Sequence, residues 1–220
     1  MLVLDRVTYR YPGSGRWALP PTSLEVRAGQ VVGVRGPNES GKTTLCLVAS
    51  GLAPVAIGGE LKGRALIDGR STLELRTHEL AQRCGLLFDN PSAQLTGLHR
   101  TVAEEVAFGP CNLGLPPGTV VERTEAALRL LGIEHLAHRD PARLSGGETQ
   151  LVALAGLVAL RPPYLALDEP VSRLDPERSA QVATAIERLA AAGVGVLVTE
   201  HDEELLARVC DLVLDLGGGG

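Results

Sequence analysis

The chain has 220 residues, of which 45% are hydrophobic and 3% aromatic, and its formal net charge is −5 at pH 7. This length fits one large domain, and the apolar content suffices for a sizeable core, which argues against a disordered chain. The acidic balance argues against nucleic acids and anionic membrane surfaces as general partners, because both select basic proteins. The longest apolar run, residues 151–160, is too short to span a bilayer. The four cysteines include no C-x-x-C pair, which favours reduced thiols over a metal site.

The N-terminal part of the chain predicts two kinds of strand. Residues 2–11 alternate apolar and polar side chains, which indicates a half-buried β-strand. The segments 24–28 and 65–69 are predicted as further strands, and together these indicate a small, largely antiparallel sheet. The β-branched run within residues 30–35 predicts a separate buried strand.

The stretch after that buried strand, residues 36–43, reads G-x-x-x-x-G-K-T, the pattern of a phosphate-binding P-loop. A helix is predicted from residue 44 onward, so the loop lies between a strand and a helix, as the motif requires. This context argues against a glycine-rich turn with a chance Lys-Thr pair. Glycines let backbone N–H groups surround an anion, and the helix N-terminus adds a partial positive charge.

Each residue type in the loop has a predicted role in nucleotide binding. Lys42 is expected to pair with the β- and γ-phosphates, and Thr43 is expected to offer its hydroxyl to Mg²⁺. An aromatic side chain shortly before a P-loop strand can stack on adenine, and we favour Tyr11 over Trp17 for this role, with core packing as the alternative for either. The predicted nucleotide-binding residues of this region are Tyr11, Gly36, Pro37, Asn38, Glu39, Ser40, Gly41, Lys42, Thr43 and Thr44.

The middle of the chain is predicted to be mostly helical. A short strand at 84–88 comes first, and helical spacing then appears at 102–108 and 124–131, with the turn-forming residues 116–118 between them. The sequence L-S-G-G-E at 144–148 precedes an apolar helix. Two glycines at a helix start make backbone N–H groups available to an anion, although this signal is weak by itself.

Residues 164–169 predict a buried strand that ends in two carboxylates. The carboxyl ends of parallel strands line one edge of a doubly wound sheet, so Asp168 and Glu169 are expected beside the P-loop as catalytic groups rather than as solvated acids. A further buried strand at 194–198 is followed by His201, which can reach the same crevice.

Two other predictions concern the C-terminal part of the chain. A helix at 176–192 completes a β-α-β unit between the two buried strands. The final residues 217–220 are all glycine, which predicts a flexible tail or a severed linker.

These motifs resemble the nucleotide-binding domain of ABC ATPases over essentially the whole chain. The resemblance implies one ABC ATPase domain at 1–220, with an α/β fold of the P-loop NTPase type. That fold has a mostly parallel core sheet, an N-terminal antiparallel β-subdomain, and an inserted helical subdomain at about 94–160. The motifs that carry it are the P-loop, F-D-N-P at 88–91, L-S-G-G-E at 144–148, L-A-L-D-E-P at 165–170, S-R-L-D at 172–175 and His201.

The resemblance implies ATP and Mg²⁺ as cofactors and a dimer in which two such domains close head to tail around two ATP molecules. Ser145, Gly146 and Gly147 would contact the γ-phosphate held by the P-loop of the other domain. The other implied roles are Mg²⁺ binding by Thr43 and Asp168, polarisation of the attacking water by Glu169, contact of His201 with the γ-phosphate or water, and a dimer contact at Asp175.

Three residues depart from the family pattern. Asp89 stands where the family usually has a Gln that touches Mg²⁺ and water, so we retain Asp89 as a predicted catalytic and metal-binding residue. A carboxylate there would add repulsion near Glu169. Glu39 replaces a frequent glycine, and Leu151 stands where many relatives have an Arg.

Residues 88–91 and 106–115 further resemble the ATPases of energy-coupling-factor transporters, which import cobalt, nickel or vitamins. This implies a cytoplasmic subunit, peripheral on the inner face of the cell membrane, that hydrolyses ATP to power uptake of a small substrate. Its partners would be a second ABC ATPase subunit, identical or different, and a transmembrane component, with no nucleic acid.

Two alternatives stay open. A soluble Rad50-like ABC ATPase of DNA maintenance shares N-E-S-G-K and L-S-G-G-E, but such proteins insert a long coiled coil where this chain has a short segment with prolines and no heptads. A weakly active nucleotide-binding partner in a heterodimer is the other alternative, and Asp89 is its best support.

Overall fold

The computed structural model describes residues 1–217, so of the predicted glycine tail only Gly217 is described and the rest lies outside the described residues. Strands and helices alternate along much of the chain. Their order is β1 Leu2–Arg10, β2 Leu19–Val26, β3 Val31–Arg35, α1 Lys42–Ala49, α2 Leu52–Val55, β4 Glu60–Ile67, β5 Arg70–Ser71, α3 Thr77–Arg83, β6 Cys84–Leu87, α4 Val102–Asn112, α5 Pro117–Leu130, α6 Gly146–Leu160, β7 Tyr164–Asp168, α7 Pro176–Ala191, β8 Gly195–Thr199, α8 Glu203–Val209 and β9 Leu212–Asp215.

The chain divides into two compact units. Unit 1 consists of Met1–Leu86, Pro162–Glu169 and the chain from Ile186 onward, and unit 2 consists of Leu87–Arg161 and Pro170–Ala185. The helical insert predicted at about 94–160 lies within unit 2.

Unit 1 contains two β-sheets. Sheet A is antiparallel, with strand order β2-β1-β4-β5, and sheet B has the order β6-β7-β8-β3-β9. The pairs β7–β8, β8–β3 and β3–β9 are parallel, and Val32 of β3 pairs with both Leu197 of β8 and Leu212 of β9. The strands β7 and β8 are buried along their whole length, which explains their near-continuous apolar sequences. The predicted α/β class, with its antiparallel and parallel sheets, is confirmed.

The helix α1 forms the centre of the unit 1 core. It contacts β1 and β2 of sheet A and β7 and β8 of sheet B. All of its residues except Thr43 are buried, including the charged Lys42. The P-loop therefore leads into a helix that is held by both sheets, and this fixes the direction of its N-terminus.

Unit 2 is built from α4, α5 and α6, which pack against one another, together with the first part of α7. The starts of two of these helices are specified locally by capping boxes. In α4 the pair is Thr101 with Glu104, and in α6 it is Ser145 with Glu148. Within residues 1–217, no helix has both the length and the apolar character that a bilayer crossing needs.

The prediction that residues 116–118 separate two helices is wrong. Helix α5 begins at Pro117, because proline is tolerated in the first helical turn, where its missing N–H would have no helical partner. The separating segment is instead residues 113–116.

Candidate functional site

The P-loop connects the end of β3 to the start of α1, and its two motif glycines are required by close packing. A Cβ on Gly36 would lie 2.2 Å from the backbone oxygen of Leu216. A Cβ on Gly41 would lie 2.6 Å from the backbone oxygen of Ala18, and Gly41 has a φ of +103°. Any other residue at either position would displace backbone, so these glycines set the path of the loop.

Lys42 is the buried cation of the loop, with a side chain only 6% exposed. Its Nζ donates to the backbone oxygens of Gly36 at 2.9 Å and Pro37 at 3.2 Å, and it lies 2.9 Å from Nε2 of His201. A buried ammonium held by main-chain oxygens is a point charge at a fixed place, which suits the binding of an anion. Thr43, the next residue, is exposed.

The carboxylates of β7 lie in the same unit as the P-loop. Asp168 is buried at the strand end, and its Oδ1 accepts a hydrogen bond of 2.6 Å from Thr199 Oγ1. Glu169 follows with a φ of +50°, and its Oε1 lies 3.2 Å from His201 Nε2 and 4.0 Å from Lys42 Nζ. A left-handed backbone at a non-glycine residue is costly and concentrates at functional sites. The structure thus brings together Lys42, Glu169 and His201.

A cavity of about 410 Å³ lies beside these groups, within the roughly 300–1,000 Å³ that small-molecule sites occupy. The hydroxyl of Ser40 is buried and has no hydrogen-bond partner within residues 1–217. An anion bound in the loop would supply an acceptor for this hydroxyl. The cavity is lined by Ser14, Arg16, Trp17, Ala18, Asn38, Glu39, Gly41, Lys42, Thr43, Thr44 and Glu169.

Trp17, not Tyr11, lines this cavity. The Tyr11 hydroxyl lies 3.1 Å from Thr44 Oγ1, and its ring packs edge-on against Tyr9 with centroids 5.1 Å apart. Trp17 carries two cations over its ring, Lys62 at 4.7 Å and Arg10 at 5.2 Å. Of the two aromatic candidates, Trp17 is therefore the one that lines the cavity.

The remaining predicted site residues belong to unit 2. The signature turn, which we define as residues 144–148, starts α6, with Ser145 and Gly146 exposed and Gly147 buried. Asp175 precedes α7, and its Oδ1 accepts from the backbone N–H of Arg178 at 2.9 Å. Asp89 is exposed, and its backbone oxygen accepts from Arg173 Nε at 3.2 Å.

Glu148 organises the signature turn. It accepts from Ser145 N at 2.8 Å and from Arg139 Nη1 at 2.7 Å. The pKa of its carboxyl is lowered from the usual 4.5, chiefly because the Ser145 backbone N–H donates to it, and the Arg139 guanidinium adds to the shift. Glu148 is thus charged at neutral pH, and it fixes the backbone that exposes Ser145.

Sequence reasoning did not single out three residues that shape these sites. Thr199 holds Asp168, Glu148 fixes the signature turn, and Arg178 lies against Gly147. The capping pattern S-x-x-E could have identified Glu148. The partners of Thr199 and Arg178 depend on pairing of elements distant in the chain, for which the sequence carries no local signal.

A buried P-loop lysine, a strand-end Asp-Glu pair and a parallel sheet with the order β6-β7-β8-β3-β9 define a P-loop ATPase. The family profile described as "ABC transporter" matches residues 19–172, which is more than half of the chain. The chain belongs to the ABC transporter ATP-binding family. It is accordingly an ATP-binding ATPase.

Individual relatives agree with this assignment. The energy-coupling factor transporter ATP-binding protein EcfA of Methanothermobacter thermautotrophicus is 37% identical over 221 residues, covering 100% of this chain and 68% of its own. The structure of cbiO1 from Clostridium perfringens, part of the ABC transporter complex cbiONQ, matches with a TM-score of 0.83 and 29% identity, covering 97% of this chain and 83% of its own. A dimeric post-hydrolysis structure of the ATP-binding cassette MJ0796, bound to ADP and Pi, matches with a TM-score of 0.84 and 26% identity, covering 99% of this chain and 95% of its own.

Proposed function

We propose that this chain is the ATP-hydrolysing subunit of an energy-coupling-factor type importer, which powers the uptake of a small substrate such as a metal ion or a vitamin. The observation that carries the catalytic part is the convergence of Lys42, Glu169 and His201 beside the P-loop cavity. The similarity to EcfA and cbiO1 supports the transporter class.

In the proposed reaction, the P-loop amides, Lys42 and the Ser40 hydroxyl bind the phosphates of ATP. Glu169 Oε1 takes the role of general base toward the attacking water, and His201 holds the γ-phosphate or that water. The side chains of Glu169 and His201 lie together, with Oε1 3.2 Å from Nε2, so both can reach the same region of the cavity edge. Trp17 is the proposed platform for the base, in preference to Tyr11.

A magnesium site is consistent with the oxygen donors that are present. Thr43 is the second residue of α1 and Asp168 ends β7, and these two elements pack against each other. Within the described residues, no group of three His, Cys, Asp or Glu side chains could hold a metal ion by itself. This suits Mg²⁺, which keeps few protein ligands and is otherwise held by phosphates and water. When bound, Mg²⁺ would neutralise charge on the β- and γ-phosphates.

We propose that the active form is a head-to-tail dimer, because Ser145 and Gly146 are exposed at a helix N-terminus and suit an anion brought by another subunit. Asp175 is the proposed dimer contact. The dimeric MJ0796 structure supports such an arrangement. The partner in this dimer is an identical or a different ABC ATPase subunit. The second candidate function is that of a slowly hydrolysing subunit in a heterodimer, and Asp89 favours it.

Unit 2 supplies the proposed surface for the transmembrane component. Leu98 is 79% exposed and Phe108 is 38% exposed, whereas Leu113 and Leu115 are half-buried. Leu98 is therefore a better candidate for this contact than Leu113 or Leu115. Docking there would place the chain peripherally on the inner face of the cell membrane.

Two measurements test this function. ATP binding and ATP turnover of the purified chain test the site. Lys42→Ala is expected to abolish ATP binding or ATP turnover, because the phosphates lose their buried cation. Copurification with membrane proteins tests the transporter class, and Leu98→Glu is expected to lower it while basal turnover is unchanged. Leu73→Glu, at a 58% exposed position of unit 1, is the matched control. Equal copurification of both variants would contradict the proposed docking surface.

A further inference from the structure

The loop of residues 172–175, hereafter the 172–175 loop, contacts two other loops of unit 2. It is closed by a hydrogen bond from Leu174 N to the backbone oxygen of Val171 at 3.0 Å. Asp175 ends it by accepting from the first turn of α7. The loop is therefore a folded turn, and displacement at one of its residues is passed to the others.

The first contact joins this loop to the signature turn. Nη2 of Arg178 lies 3.9 Å from Glu148 Oε1, and Nε of Arg178 lies 3.8 Å from Asp175 Oδ2, so one guanidinium bridges the two carboxylates. A Cβ built on Gly147 would lie 3.1 Å from Arg178 Nη1 and 3.2 Å from Leu174 Cδ2. A methyl group on Gly147 would crowd Arg178 and Leu174, so the signature turn lies directly against the loop.

The second contact joins the loop to the segment that carries Asp89. Nε of Arg173 donates to the backbone oxygen of Asp89 at 3.2 Å. Because the acceptor is a main-chain atom, the bond holds the path of the segment and does not depend on the Asp89 side chain. Arginine suits this role because its planar guanidinium has five N–H donors, of which this bond uses one.

We propose that Arg173 and Arg178 are positioning residues that connect the Asp89 segment to the signature turn through the 172–175 loop. A shift of the Asp89 segment on nucleotide or partner binding is passed through Arg173 to the loop and through Arg178 to Ser145. The inference rests on the proposed roles of Asp89 and Ser145 in nucleotide turnover. It adds that these two sites of one chain respond together.

Amide hydrogen exchange tests the connection without nucleotide or activity. Arg173→Ala is expected to speed the exchange of the Ser145 and Glu148 amides about threefold or more, although Arg173 contacts neither of them. Arg129→Ala, at an exposed position of α5 in the same unit, removes the same charge and is expected to leave both amides unchanged. Faster exchange confined to residues 88–91 in Arg173→Ala would overturn the proposal.

Turnover provides the second readout. Arg173→Ala and Arg178→Ala are each expected to lower kcat while KM for ATP changes less, and Arg173→Gln, which keeps an N–H donor, is expected to restore part of the loss. If the two residues acted independently, the loss of kcat in the double variant would equal the product of the two single fold-losses. The double variant is expected to lose at least about twofold less than that product, because residues that contact each other or act in series are coupled. Independent, multiplicative losses would contradict the connection. If the parent chain does not hydrolyse ATP, the catalytic assignment is contradicted. The proposed connection is then decided by the amide hydrogen exchange, which needs no activity.

Discussion

The contact between Lys42 and His201 leads to a prediction about nucleotide selectivity. An ammonium only donates, so Nε2 of His201 accepts across the 2.9 Å between them and has no proton to give to Glu169 Oε1. A phosphate that takes the Lys42 donors must replace this hydrogen bond. A bond to a charged group contributes about 1.5–3 kcal/mol. The His201 side chain is 45% exposed, so we reduce the value to about 1 kcal/mol for solvent screening.

His201→Ala is therefore expected to tighten ADP binding about fivefold, the factor that corresponds to about 1 kcal/mol. ATP gains the same amount but loses the proposed contact between His201 and its γ-phosphate. The affinity for ATP is thus expected to stay within about twofold, while turnover falls at least about tenfold. The ratio of ATP affinity to ADP affinity is therefore expected to fall about fivefold in the variant.

Calorimetric titration of ADP and of ATP into the parent and the variant measures both affinities. His78→Ala is the matched control, because His78 is an exposed histidine of α3 in the same unit. An ADP affinity that is unchanged or weaker in His201→Ala would refute the argument that the Lys42–His201 bond opposes phosphate binding.

Three further predictions concern charge and backbone strain near the sites. Glu39 has a φ of +63° and lines the cavity, so Glu39→Gly is expected to stabilise the fold by about 1 kcal/mol in chemical denaturation. Glu39→Gln should instead only tighten ATP binding, and equal effects of both variants would contradict the strain argument. Asp89→Gln is expected to raise turnover, because it restores the neutral amide that the family usually has at this position, and an unchanged pH–rate profile would place Asp89 outside the chemistry. The lowered pKa of Glu148 stabilises the fold above its usual value of 4.5, and this stabilisation is lost as pH falls through the folded value. Glu148→Gln should therefore be less stable than the parent at pH 7, and a destabilisation that stays equal down to pH 2 would contradict this.

The features that could be predicted from sequence are those with a local pattern. The P-loop, the apolar run of β7 and the alternation of β1 each reflect contacts within a few residues or burial on a known face. These placed Asp168 correctly at the end of its strand, whereas α1 begins at Lys42 rather than at residue 44 and Glu169 lies just after β7. The edge strand β9 escaped prediction although it reads Leu-Val-Leu-Asp, because an apolar run of three residues is too short to show a period; pairing with β3 places it in the sheet.

The details that escaped prediction depend on packing between segments distant in the chain. Tyr11 and Trp17 were distinguished only by position in the sequence, whereas the structure turns the Tyr11 hydroxyl onto Thr44 and leaves Trp17 lining the cavity. The contact of Arg173 with Asp89 joins residues 84 positions apart. Side-chain direction at such sites follows from tertiary contacts, and residue type alone does not determine it.

The central claim is that this chain hydrolyses ATP with Glu169 as the base toward water. Single-turnover hydrolysis by the parent and by Glu169→Gln, with ATP binding measured on the same samples, tests it most directly. The account predicts that Glu169→Gln binds ATP as the parent does and loses about 10²–10⁴-fold in hydrolysis rate. Hydrolysis at the parent rate by Glu169→Gln would contradict the account and place the base elsewhere.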